Sequence, residues 1–156
     1  MKQLDEIIYD AIRADSDLMT AVGGHVVSTC FEVSPGEADN TPVPYLIVTL
    51  DGEQNNLGTK DTVWEGPDDS VRAGVEVAAT EPREVKRLVR MVRRAVERYV
   101  VNMYQSEQIN DYDKKLQLDS LVVSELAWDW MKPCYFQNIT YSATTNSNID
   151  NDEQEE

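Results

Sequence analysis

The stretch from Val71 to Gln105 constrains this chain most: a short alternating strand feeding directly into one long, two-faced helix. Val71, Ala73, Val75, Val77 and Ala79 fall on one side of a pleat, and Arg72, Gly74, Glu76 and Ala78 on the other. A period of two marks a strand with one buried face. Thr80 is placed to cap the following helix, and Pro82 is tolerated in its first turn, where no intrahelical donor is lost. Beyond it Val85, Leu88, Val89, Val92, Val96, Tyr99 and Met103 recur at spacings of three and four. They form one apolar stripe along a helix predicted over roughly 81–105. The opposite side carries Arg83, Lys86, Arg87, Arg90, Arg93, Arg94 and Arg98.

Those seven cations are half of the chain's 14 Lys and Arg residues, set against 29 acids and a formal net charge of -15. With Glu81, Glu84 and Glu97 counted, residues 81–105 carry +4, which leaves -19 on the remainder. The helix is a positive bar on a negative body. Such a balance argues against nucleic acid or an anionic membrane as the main partner, because most of the surface would repel either. The start of the chain has no apolar core of a signal peptide, and no apolar run approaches the ~20 residues that span a bilayer. Cys30 and Cys134 are too few for a disulfide scaffold or a zinc site and read as reduced, partly buried thiols of a cytoplasmic product.

Leu4, Ile7, Ile8, Ala11 and Ile12 keep helical spacing. Asp15 or Ser16 can cap a second short helix through Leu18, Ala21 and Val22, ended by Gly23 and Gly24. His25 to Val33 is a candidate strand, and Tyr45 to Leu50, apolar on both faces and β-branched, a central one. Asp51 to Lys60, with Gly52, Asn55, Asn56 and Gly58, reads as a long polar hairpin loop, followed by a short strand at Thr62–Trp64. After the long helix, Ser106 to Lys115 is a polar connection, Leu121 to Trp130 a strand, Met131 to Pro133 a bend, and Cys134 to Ala143 a strand. The fold class that follows is α+β: a mostly antiparallel sheet packed on one face by the long amphipathic helix and a short N-terminal helix pair. Residues 1–144 form one domain, and 145–156 an acidic C-terminal tail expected to be disordered on its own.

The residues that could carry chemistry are sparse. One histidine cannot build a His-based metal cluster, so no metal is expected. Gly23-Gly24-His25 ends a helix and precedes a strand, the reverse of a phosphate cradle, and no Gly-x-Ser-x-Gly elbow is present. His25 reads as a strand-edge residue, and Asp68-Asp69 as a solvated turn. Trp128 and Trp130, two apart on one strand, are expected to pack against the long helix, the alternative being a stacking platform for a base or sugar. No catalytic residue and no cofactor is assigned, and an enzyme is not expected.

The basic face has a bland interpretation as a solvated helix surface with local ion pairs. Against a body of -19, with Arg predominating over Lys, it points instead to an interface. The expected interface residues are Arg83, Arg87, Arg90, Arg93, Arg94 and Arg98. The complementary surface is the acidic body of another copy, a heterologous contact that closes into a ring where the rotation permits. DNA binding through the same stripe is the main rival.

The order of small motifs also resembles that of the tail completion or tail terminator proteins of tailed bacteriophages. It is carried by Ile8-Tyr9-Asp10-Ala11-Ile12-Arg13-Ala14-Asp15, by Leu18 through Val22-Gly23-Gly24-His25-Val26, and by Pro44-Tyr45-Leu46-Ile47-Val48. The strand Val71–Ala79 and the helix from Glu81 to Tyr99 complete a likeness covering roughly residues 4–100; His25 stands where an arginine is more usual. The resemblance implies a non-enzymatic virion protein of the tail or neck, present in the host cytoplasm during assembly. It would form a ring with copies of itself, six-fold or twelve-fold, and stop the tail tube or join it to the head connector. Adjacent head-connector and tail proteins would be its partners, DNA only passing cargo, and no membrane would be involved. The alternatives are an acidic nucleic-acid mimic that inhibits a DNA-binding enzyme, and a small enzyme using the acidic side chains.

Overall fold

The computed structural model describes residues 4–28, 41–55, 68–105 and 117–146. The elements run α1 (Leu4–Ala14), α2 (Ser16–Ala21), β1 (Val26–Ser28), β2 (Tyr45–Asn55), β3 (Asp68–Ala79), α3 (Pro82–Gln105), β4 (Gln117–Val123), β5 (Ala127–Asp129) and β6 (Cys134–Asn146). The six strands form one sheet in the order β1-β2-β3-β6-β4, with β5 also paired to β6. Among the described strands only the β1–β2 pair is parallel. The predicted α+β class is what the chain adopts.

Alternation along β3 decides how the layers stack. Val71, Ala73, Val75, Val77 and Ala79 are all buried on one face, joined by Leu46 and Val48 of β2 and Ile139, Tyr141 and Ala143 of β6. Onto this surface α3 lays Val85, Leu88, Val89, Val92, Ala95, Val96 and Val100. Four of these (Val85, Leu88, Val92, Val96) have no exposed area, and each such side chain contributes about 1.5–3 kcal/mol by leaving water. Helix α1 packs beside α3 on the same face through Leu4, Ile7, Ile8, Ala11 and Ile12. The far face of the sheet carries a small buried apolar patch at one end, formed by Tyr45, Ile47, Ala78 and Cys134, and leaves Val122 exposed on β4.

Local chemistry sets the boundaries. Asp15 caps α2, its Oδ1 accepting from the Leu18 N–H at 3.0 Å. The chain leaves α2 through Gly23 and Gly24, both in the left-handed region at φ 61° and 77°, where glycine carries no steric penalty. Helix α3 opens at Pro82, and its first turn closes from the Val85 N–H to the Glu81 carbonyl. Glu81 rather than Thr80 therefore holds the capping position.

Several strand boundaries differ from the sequence reading. Residues 51–55, taken as loop, continue β2, because pairing with β3 as far as Asn55↔Asp69 outweighs the turn preference of Gly52 and Asn55. The single strand predicted from Leu121 to Trp130 is two, β4 and β5. At the break Ser124 faces β6 by donating its N–H to the Asn138 carbonyl. Strand β6 runs to Asn146, two residues past the predicted domain limit. The predicted strand at Thr62–Trp64, the connection at 106–115, Cys30, residues 29–33 of the first predicted strand and residues 147–156 lie outside the described residues.

Candidate functional site

All seven cations of α3 are exposed. With Val92 pointing straight into the core and about 100° per residue, Arg83, Arg87, Arg90 and Arg94 lie within about 40° of directly outward. From Arg83 to Arg98 the row is about 22 Å long at about 1.5 Å per residue. Arg98 leans toward the helix pair and lines a hollow of about 230 Å³ with Ala11, Asp15, Asp17 and Tyr99. Arg93 turns to the other flank, over β6. There burial pushes the Tyr141 phenol up, with Glu97 adding to the rise and Arg93 opposing it. Of the six predicted interface residues, five therefore share one ridge and Arg93 stands beside it.

The opposite side of the molecule is the uncovered part of the sheet, and it is polar. A hollow of about 550 Å³ lies there, lined by Thr49, Asp51, Glu76, Asp129, Lys132, Asn138 and Thr140 among others. Two of the carboxylates on this face come from irregularities in strand pairing. The β2–β3 register shifts between Leu50 and Gly52, so Asp51 is the extra residue of a bulge. The β4–β6 register shifts between Leu118 and Ser120, which makes Asp119 the extra residue there. Bulges re-aim side chains, and both aspartates are held in their new directions. Thr49 Oγ1 donates to Asp51 Oδ1 at 2.7 Å, and Thr144 Oγ1 donates to Asp119 Oδ2 at 2.6 Å. Gly74 leaves room for this carboxylate: a Cβ at that position would stand 2.7 Å from Asp51 Oδ2 and push it aside.

At the rim of the hollow the β5–β6 hairpin projects its tip. Asp129 Oδ1 accepts from the Met131 N–H at 2.9 Å and the Lys132 N–H at 3.4 Å, which fixes the turn. Trp130 is 85% exposed and Met131 91%. Trp130 meets Trp128 edge-on at 5.9 Å between ring centroids, and Trp128 meets Tyr135 at 4.7 Å. The expected packing of both tryptophans on the long helix is therefore corrected. Pairing places Trp128 opposite Tyr135, while Trp130 falls in the turn, beyond the strand, and points into water. Behind the tip, Lys132 Nζ sits 4.5 Å from the Tyr45 ring centroid. The Tyr45 hydroxyl donates to Glu76 Oε2 at 2.8 Å. Burial first, and then Glu76, push the Tyr45 phenol up.

Reactive groups are tied into structure. The Cys134 thiol is fully buried and pushed up by burial and then by Asp129, which holds it protonated and unreactive. His25 Nδ1 lies 3.0 Å from the Pro44 carbonyl oxygen, beside the start of β1. Among the described residues no group of three or more His, Cys, Asp or Glu could hold a metal ion, and no helix is long and apolar enough to cross a membrane.

Sequence reasoning found the arginine ridge but not the two bulged aspartates or the hairpin tip. Gly74, an isolated glycine within a strand pattern, was the one local signal of a close approach from the neighbouring strand.

Taken together, the chain is a two-layer α+β domain with a basic helical surface and a polar, bulged sheet surface on the opposite side. No family model and no curated protein matches its sequence. Among solved structures, a chain from the virion of a native gene transfer agent particle shares the fold, with a TM-score of 0.52 and 16% identity. The match covers 92% of this chain and 94% of that one.

Proposed function

We propose that this chain is a structural, non-enzymatic virion protein that assembles with copies of itself into a ring in the neck or tail of a phage-like particle. There it ends the tail tube or joins it to the head connector, with DNA only as passing cargo. The observation that carries this reading is the row of exposed arginines on α3 in a chain of net charge -15. A row of like charges so strongly opposed to the rest of its own molecule fits a neighbour with the same negative body. The fold match to a gene transfer agent virion chain, nearly full length on both sides, supports the same reading. So does the motif order shared with tail completion and tail terminator proteins. Six-fold or twelve-fold rings are the expected stoichiometries.

The test is light scattering with negative-stain imaging across a salt series, on the wild type and on Arg90→Glu/Arg94→Glu. Exposed ion pairs contribute about 0.5 kcal/mol each. Removing two attractions and adding two repulsions of similar size amounts to about 2 kcal/mol per contact, or about thirty-fold in affinity. The wild type should form rings that weaken with salt, since partly exposed charges are screened over about 8 Å at physiological ionic strength. The variant should be a folded monomer. A wild type that stays monomeric at low salt overturns the ring. A variant that keeps its rings but loses duplex affinity moves the arginine face to DNA binding.

A further inference from the structure

Resting on the ring reading, we infer that the uncovered face of the sheet is the surface that receives the arginine ridge of a second copy. Subunits would then join helix layer to sheet layer. Three observations carry this.

The first is charge. The ridge presents Arg83, Arg87, Arg90, Arg94 and Arg98 to solvent. The sheet face presents Asp51, Glu76 and Asp129 in one hollow, with Lys132 the one base among the described residues that line it. Asp119 extends the acidic side toward the next depression, which it lines with Arg72. Both bulges of the sheet spend their extra residue on an aspartate, and each aspartate is pinned by a threonine hydroxyl. Carboxylates held in one direction lose little freedom when a guanidinium arrives, which favours the bidentate pairs arginine makes best.

The second is shape. A helix is convex, and the receiving face holds a cavity of about 550 Å³ between the strands and the β5–β6 hairpin. Gly74 keeps the floor open where Asp51 crosses it.

The third is the rim. Asp129 and Lys132 of the β5–β6 turn line the hollow, and Met131 between them is 91% exposed at a tip that Asp129 fixes. Methionine is enriched in interfaces, and its flexible thioether side chain can fit itself to an arriving helix. The ridge and the receiving face lie on opposite sides of a two-layer domain. A contact between them leaves one of each unsatisfied in a dimer, so further copies add until the turn at each junction closes the ring, or an open filament grows where it does not.

The test uses two full-length variants that each damage one half of the contact. Arg90→Glu/Arg94→Glu keeps an intact sheet face; Asp51→Lys/Asp119→Lys keeps an intact ridge. All four residues are exposed, so wild-type circular dichroism and melting are required of both variants. Each alone should lose about thirty-fold or more in self-association. Mixed in equal amounts, they should regain self-association, because the intact ridge of one variant meets the intact sheet face of the other, and the remaining Glu ridge and Lys sheet face attract with their charges exchanged.

If Arg90→Glu/Arg94→Glu breaks the ring while Asp51→Lys/Asp119→Lys assembles like wild type, the sheet face is not the receiver and the ring reading stands. If both variants are monomeric and their mixture stays so, the ridge and the aspartates do not meet, and the inference fails. A wild type that never assembles removes the ring reading itself.

Discussion

Val92→Asp separates the two faces of α3 more sharply than any other single change. Val92 has no exposed area and lies in the main core with Val75, Ile139 and Tyr141. Losing its packing costs about 2 kcal/mol. The new carboxyl has no partner there, so it stays neutral at pH 7. Keeping it neutral across about three pH units above the ordinary carboxylate value costs about 1.4 kcal/mol per unit, or about 4 kcal/mol. The total of about 6 kcal/mol reaches the low end of the 5–15 kcal/mol that holds a domain of this kind together. Urea unfolding followed by far-ultraviolet circular dichroism should show a protein unfolded or nearly so at pH 7. The deficit should shrink near pH 4.5: the folded-state pKa is raised, so stability is lost as pH rises and recovered as the group protonates. Val92→Ala, with the packing loss alone, should fall only about 2 kcal/mol below wild type at both pH values. Val92→Asp melting with the wild-type midpoint at pH 7 would remove α3 from the core and refute the assignment of its two faces.

Other consequences are smaller and equally direct. Asp15→Ala removes the acceptor for the Leu18 N–H and should cost about 1 kcal/mol in chemical denaturation, while Asp15→Asn should be nearly silent. Cys134 should resist a thiol reagent in native buffer at pH 8 and react at once in denaturant, because burial holds its thiol protonated. Burial also raises the Asp5 carboxyl above its ordinary value of 3.8, against the pull of the Glu6 and Asp5 backbone N–H groups. The native state then binds more proton than the unfolded chain, so stability falls as pH rises through that window. Asp5→Asn should flatten this fall, gaining on the wild type as pH rises above 3.8 in a series of urea midpoints.

The elements that sequence reasoning placed well are those whose evidence is local and periodic. The alternation of β3, the stripe of α3, the Asp15 cap and the doubly apolar start of β2 each follow from residues a few positions apart. The elements it misplaced depend on partners far along the chain. Gly52 and Asn55 favour a turn in isolation, yet β3 supplies a ladder that holds them in strand. Trp128 and Trp130 stay in ring contact, but Asp129 ends the strand between them and the turn leaves Trp130 85% exposed rather than packed on α3. The arginine ridge was legible because seven cations in one helical stretch need no tertiary information. Its proposed counterpart was not, since a bulge exists only when two strands are laid side by side and one has a residue to spare.

Bulging at Asp119 has a further consequence at the margin of the sheet. Strand β4 is the outermost strand on its side, and an outer strand offers unpaired backbone groups to any extended chain that drifts past. Here that border is irregular: the pairing steps at Asp119, and after Val123 the strand breaks before resuming as β5. A stranger's backbone finds no long straight run to zip against. The irregular border at β4 therefore works against edge-to-edge pairing of one copy with the next on that side of the sheet.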